Sequence, residues 1–364
     1  MEEKKQEQTF AFAAIDPVIE RLIETPVEKN YAGNTFVRWG DRNTYPQYVL
    51  GLTKESPTLR SIILGDVDYI CGNALTANVQ LSGLPAGIAD RRGTTFEDLF
   101  RRLADNVAKF GGLAVKVTRN RAGDGIAELE SIPVQYLRTD EDNEVFYYSE
   151  KWEKGGNKRI EYPAYIHGTQ VPESIYYVKF WGDKAYPEPL YMASVKAAEC
   201  ERDIDDYHLG SLSRGFMGSY LVNFNNGQIP DDKQKAEVER NFTQKFAGHT
   251  NGGRIMFSWN RNKDAQTTFQ KMEVSDYGEK YKTLSEHCRQ QLFTAFRAHP
   301  TLFGLSESSG FNQEEYDGAF KLFNRTMVIP VQKRIISALE FLTGAVGGFT
   351  IEPFSMGEET KEVK

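Results

Sequence analysis

HPTLFGLSESSGFN, residues 299–312, decides how the second half of this chain is read. Before it, Tyr277, Tyr281, Leu284, Cys288, Leu292 and Ala295 recur at steps of 4, 3, 4, 4 and 3, the spacing of one apolar stripe on a helix over about residues 276–298. After it, Tyr316, Phe320, Phe323, Met327, Val331, Ile335, Leu339 and Leu342 keep the same rhythm to Gly344, with Asn312 and Glu315 as the expected cap. At 1.5 Å per residue the two helices would run roughly 34 Å and roughly 48 Å. The second should not be straight: Pro330 lacks a backbone donor and crowds the carbonyl one turn back, so a kink is expected over residues 326–329. Between the helices, Ser306, Ser308 and Ser309 make a small polar tip, Gly304 and Gly310 loosen it, and Leu302, Phe303 and Phe311 are its apolar anchors.

The segment GLSESSG within this stretch lacks the lysine that a phosphate-binding loop carries after its last glycine. It also fails the Gly-x-Ser-x-Gly pattern of a serine nucleophile, since Ser308 stands where the second glycine belongs. A linker, or a projecting loop that avoids strong attraction, fits these residues better.

Upstream, residues 189–215 follow a proline suited to the first turn and are expected to be helical. Glu199, Asp203 and Asp206 share one face of that helix, either solvated or lining a channel from which like charge repels a polyanion. Asp205 and His208 have the spacing of a carboxylate-bridged metal site, but the second such pair is missing. A strand at 220–224, an Asn-Gly turn at 226–227, a helix over about 231–247 and strands at 254–259 and 267–274 make a small α/β insert. Two long helices flanking a small insert form a hairpin that its own chain cannot cover, and identical neighbours in a closed ring would supply the missing contacts.

The first half mixes both periods. Helices are expected over residues 56–72, entered at Ser56-Pro57, and over 94–110, with Thr94 and Glu97 as a capping box and Phe96, Leu99, Leu103, Val107 and Phe110 on its buried face. From 113 to about 180 the period falls to two, and strands are expected in LAVKVTRN, IAELESIPVQYLRTD, NEVFYYSE, RIEYPAYI and SIYYVKFW. The fold class is therefore α+β.

With 364 residues, 40% hydrophobic and 12% aromatic, the chain can bury a core. A net charge of -7 excludes a protein whose affinity comes from coating nucleic-acid phosphates. Cys71, Cys200 and Cys288 are widely spaced and read as reduced thiols. No apolar run reaches the ~18 residues that span a bilayer, and MEEKKQEQ begins no secretory signal, so a soluble protein made in the cytoplasm is expected. The five histidines form no HExxH or HxH, and neither a catalytic set nor a metal or cofactor site emerges.

The order helix, α/β insert, helix, loop, kinked helix resembles the portal (head–tail connector) proteins of tailed bacteriophages. The likeness is carried by YPEPLYMASVKAAECERDIDDYHLGS, YLVNFNNGQIPDD, YGEKYKTLSEHCRQQLFTAFRAHPTLFGLSE and NQEEYDGAFKLFNRTMVIPVQKRIISALEFL. WGDRNTYPQYVLGLTKESPTLRSIILGDVDYICGNAL and PVQYLRTDEDNEVFYYS resemble the wing of such proteins. The resemblance implies a non-enzymatic dodecamer in the virion, assembled in the host cytoplasm at one capsid vertex, through which double-stranded DNA passes without sequence readout. It implies terminase, the major capsid protein and head-completion or adaptor proteins as partners, and no membrane.

By the same resemblance, residues 1–188 would be the wing, 189–218 and 276–298 the stem helices, 219–275 the clip, 299–312 the tunnel loop, and 313–364 the kinked wing helix with its tail. Only about twenty residues follow Gly344, so a C-terminal crown would be reduced or absent. Phe303, Gly304, Ser306, Ser308, Ser309, Gly310, Phe311 and Asn312 would form the loop facing DNA. Asp231, Asp232, Lys233 and Lys235 would lie on the clip's docking surface. The rival readings are a helical adaptor or scaffold, and a nucleotide-using enzyme built on GLSESSG.

Overall fold

Ser56 ends one helix and begins the next. Its backbone N–H donates to Leu52 O at 2.9 Å, and its hydroxyl accepts from the Leu59 N–H at 3.2 Å. The computed structural model describes residues 24, 27–30, 35–152, 158–213, 220–224, 231, 233–237, 240, 255–259, 277–305 and 313–354. Glu28–Lys29 (β1) and Arg38–Trp39 (β2) pair antiparallel and lead to the two helices joined at Ser56, Tyr45–Glu55 (α1) and Pro57–Cys71 (α2). No helix was expected over α1; its signals are Pro46 in the first turn and the buried side formed by Tyr48, Val49 and Leu52.

Ala74–Ala77 (β3) follows, then Phe96–Phe110 (α3), all of whose expected core residues are buried. The capping box stands one residue later than expected. Asp90 Oδ1 accepts from the Thr94 N–H at 3.0 Å and holds Thr94 in the preceding turn. Thr95 therefore caps the helix with Asp98, and Glu97 turns instead toward the Leu75 N–H, 3.4 Å away.

The strands stand where the two-residue period placed them: Gly112–Arg119 (β4), Ile126–Ser131 (β5), Leu137–Thr139 (β6), Val145–Tyr148 (β7), Ile160–Pro163 (β8) and Glu173–Lys179 (β9). They form two antiparallel three-stranded sheets, ordered β5-β4-β9 and β6-β7-β8, which share a small core of Ala114, Ile132, Leu137, Phe146, Tyr162 and Ile175. Arg138 is buried beside them. Its guanidinium donates to Asn43 Oδ1 and O, both at 2.6 Å, and to Leu137 O at 2.7 Å, with its charge 4.9 Å from the Trp152 ring centre. Burial lowers its pKa to about 10.

The helix expected from residue 189 begins only at Val195–Ser213 (α4), after a 3₁₀ turn at Met192–Ser194. Tyr191 is the reason. Its ring stacks on Phe296 at 5.2 Å and its hydroxyl donates to Lys109 O at 2.8 Å, which holds this segment against α3 and out of the α-helix. Of the insert, Tyr220–Phe224 (β10) and Ile255–Trp259 (β11) pair in parallel, and residues 233–237 are helical. The Asn-Gly turn at 226–227 and the strand at 267–274 lie outside the described residues.

Tyr277–Phe296 (α5) returns alongside α4. Gln313–Phe323 (α6) passes through a π-helical turn, Asn324–Val328, into Ile329–Thr343 (α7), whose end leads to Phe349–Glu352 (β12), antiparallel to β3. This wider turn stands where the kink was expected: the Ile329 N–H reaches back to Asn324 O, and the ladder is already opened where Pro330 would crowd it. One continuous core runs from α1 through α2 and α3 to the lower half of α5 and along α6 and α7.

Candidate functional site: the seat of the loop after α5

The segment that opens the loop is ordered and shaped by its own residues. Arg297 takes a positive φ of 53°, and the Ala298 N–H reaches Phe293 O at 3.0 Å, closing the end of α5. His299 Nδ1 accepts from the Thr301 N–H at 3.4 Å and starts a 3₁₀ turn over Pro300–Phe303. Gly304 ends that turn at φ 77°, a conformation that costs glycine nothing.

Phe303 is the anchor of this turn. Its ring centre lies 5.7 Å from Phe293, 6.0 Å from Tyr69 and 6.3 Å from Phe323, so it joins α5, α2 and α6. Gly65 makes room for it: a Cβ there would stand 2.6 Å from the Phe303 ring. Tyr69 completes the seat. Its hydroxyl donates to Leu302 O at 2.8 Å and lies 3.3 Å from the Tyr316 hydroxyl, so one α2 side chain holds both the turn before the loop and the helix after it. Burial, then the Tyr316 hydrogen bond, raise the Tyr69 pKa, so it stays a neutral donor.

Asp66, next to Gly65, is almost wholly buried, and that burial alone raises its pKa to about 7. Further along, Gln332 Nε2 donates to Ile70 O at 2.9 Å and fastens α7 to the end of α2.

At the other end of α2, Glu201 from α4 accepts from the Ser56 and Thr58 hydroxyls and from the Thr58 N–H at 3.2 Å. A buried carboxylate at a helix N-terminus is favoured by the exposed N–H groups there. Arg202 lies 3.5 Å from Glu55 and binds Asp203 Oδ1 at 3.1 Å. α2 is thus a rod with α4 clasped to its start, the loop turn seated at its middle and α7 tied to its end.

The hairpin of α4 and α5 rises from this base. Tyr207 stacks on Tyr281 at 4.9 Å, and Cys288 lies against Cys200 lower down. Burial and that contact push the Cys288 thiol up to about 12. Cover thins toward the tip, where Leu209 is 64% exposed and Leu284 39%, in line with the under-covered hairpin read from the sequence. Of the expected acidic face, Glu199 is half-buried and accepts from the Tyr48 hydroxyl, while Asp203 and Asp206 are exposed.

The remaining expected residues are placed as follows. Phe303 and Gly304 belong to the ordered turn; Ser306, Ser308, Ser309, Gly310, Phe311 and Asn312 lie outside the described residues. In the insert, Asp231 Oδ1 accepts from the Gln234 N–H at 2.8 Å, so this carboxylate caps the helical segment at 233–237. Lys233 is exposed, Lys235 is half-buried, and Asp232 lies outside the described residues. Among the described residues no His, Cys, Asp and Glu cluster could hold a metal ion, and no helix is long and apolar enough to cross a membrane.

Gly65, Tyr69 and Glu201 were not singled out from the sequence. A glycine inside a strong helical pattern was the one signal available, since it costs about 1 kcal/mol against alanine and marks a close approach.

No protein-family model and no curated protein sequence matches the chain. Solved structures do. A chain from the neck of the empty gene transfer agent particle, computed with C6 symmetry, aligns over 88% of this chain and 86% of its own at 16% identity, with a TM-score of 0.53. The neck of the native particle, computed with C12 symmetry, matches over 85% and 84% at 16% identity and the same TM-score, 0.53. This chain shares the fold of those neck chains. An HK97 family phage portal protein from Corynebacterium diphtheriae aligns over 83% of this chain and 90% of its own at 12% identity, with a TM-score of 0.44. The α+β class expected from the sequence is the one found.

Proposed function

We propose that this chain is the subunit of a phage portal, a ring-shaped, non-enzymatic channel of the virion through which double-stranded DNA is packaged and ejected. The observation that carries the reading is a fold shared, over nearly the whole chain, with the neck of a particle computed with C12 symmetry. In this reading α4 and α5 are the stem, the insert between them is the clip, and residues 1–188 with α6, α7 and the C-terminal tail form the wing. The seat of Tyr69, Gly65 and Phe303 fixes both ends of the tunnel loop and leaves residues 306–312 to face the DNA. Terminase and head-completion proteins dock on the clip, the capsid protein surrounds the wing, and ATP is hydrolysed by the terminase.

Native mass analysis with negative-stain imaging tests this. Closed twelvefold assembly of a 41.3 kDa chain predicts a particle of roughly 500 kDa with an axial hole about wide enough for duplex DNA. A monomer that forms no ring, either alone or with its capsid protein, would overturn the reading.

A further inference from the structure

The two edges of the α4–α5 hairpin carry opposite charge. At 3.6 residues per turn, Glu199, Asp203 and Asp206 lie along one flank of α4, beside the side that Cys200 and Tyr207 turn to α5. Lys282 and Arg289, seven residues apart, lie along one flank of α5, about a quarter-turn from the side that meets α4 and with Glu286 between them, on the other side of the hairpin. Toward the tip both edges are exposed: Asp203 is 55% and Lys282 76% exposed, and Asp206 and Arg289 are exposed as well, whereas Glu199 lower down is half-buried and accepts from the Tyr48 hydroxyl. Asp205 belongs to neither edge, since it stands about 160° around α4 from Asp203 and about 100° from Asp206.

The edges also match in height. Tyr207 packs against Tyr281 and Cys200 contacts Cys288, so seven residues down α4 correspond to seven along α5 in the antiparallel sense. By that register Asp206 stands level with Lys282, and Glu199 level with Arg289. A rotation axis running along the hairpin keeps heights unchanged, so it would bring Asp206 of one copy level with Lys282 of the next and set Asp203 between the heights of Lys282 and Arg289.

We propose that the acidic edge of α4 is the docking surface for the basic edge of α5 in a second copy of this chain, repeated head to tail around the ring. This deepens the portal reading and rests on it. A two-fold contact would set like charge against like on each edge and is disfavoured, whereas a head-to-tail contact satisfies both edges and closes after a fixed number of copies. Contacts within the chain do not block it. Asp203 is bound by Arg202, and Lys282 lies 4.0 Å from Glu286, yet a carboxylate accepts several hydrogen bonds and an ammonium donates three. The acidic residues then serve cohesion between subunits and do not line the channel.

The test uses the full chain and charge reversal. Asp203→Lys with Asp206→Lys should abolish rings at concentrations where wild type is fully assembled, and so should Lys282→Glu with Arg289→Glu. Mixed in equal amounts, the two variants should form rings in which they alternate, and a chain carrying all four reversals should assemble alone. Asp205→Lys should leave assembly unchanged. Without any mutation, raising salt from about 0.05 to about 0.5 M should shift wild-type rings toward monomers, because exposed charge pairs are screened. Rings formed by either double variant alone, or wild-type rings indifferent to salt, would overturn the edge contact and leave the portal reading standing. A wild type that never forms rings would overturn both.

Discussion

Asp66 is a carboxyl group at the centre of the buried face of α2, beside the glycine on which the loop anchor rests. Its folded pKa of about 7 lies above the unfolded value near 3.8, so the folded state holds the proton more tightly. The sign follows: this contribution to stability is full below about pH 4 and is lost as pH rises through about 7. A shift of roughly three units corresponds to on the order of 4 kcal/mol. Asp66→Asn keeps the shape and removes the titration, so it should exceed wild type in stability at pH 8 and converge with it near pH 4. Denaturant melts of the two proteins across that range check this, and a difference independent of pH would refute it. Burial lowers the pKa of Arg138 too, but only to about 10, so its guanidinium stays charged near neutral pH, held by three carbonyl groups and an aromatic ring.

Between elements, the junction of α2 with the loop turn is set by shape. Gly65 gives up helix propensity so that Phe303 can lie directly on the backbone of α2. Gly65→Val should push that ring out of its seat and destabilise the chain by about 2–3 kcal/mol, the usual cost of overpacking. Phe303→Ala empties the seat and should cost about 3–4 kcal/mol. Combining the two should cost less than their sum, since valine then partly fills the space the ring has left. Thermal melts of the two single variants and the double variant give the coupling; strict additivity would mean that the two residues do not touch. The π-turn is a device of the same scale. It absorbs Pro330 within one continuous helix, and so Tyr316 stays at the loop seat while Gln332 stays on α2.

For the whole molecule, the proposed ring raises the question of which parts can change while it holds. The seat binds residues 299–305 on one side of the loop and α6 on the other, so a change confined to residues 306–310 should leave the fold and the ring unaltered. Deleting those five positions should therefore give particles of wild-type mass, less the missing residues, that fail to package DNA or fail to retain it. Loss of the ring would show that the loop belongs to the assembly contacts. The insert calls for a different choice of variants. Reversing Asp231 would fray the helical segment it caps, so Lys233 is the cleaner probe of motor docking.

Period and punctuation determined most of the elements by themselves. The stripes from Tyr316 to Leu342 and from Phe96 to Phe110, the two-residue alternation from 113 to 180, and the break at Pro330 are local properties, because side-chain direction follows directly from backbone period. Local competition was harder to read. Thr94 and Thr95 are equivalent as caps until Asp90 holds one of them, and Pro189 looks like a helix start until Tyr191 is drawn under α3. What only the tertiary structure decided is which distant groups meet: Glu201 at the start of α2, Phe303 on Gly65, Tyr69 between the two ends of the loop, and a basic edge standing level with an acidic one. Those pairings depend on how rods pack in three dimensions, and a one-dimensional pattern records which face of a helix is buried without recording what lies against it.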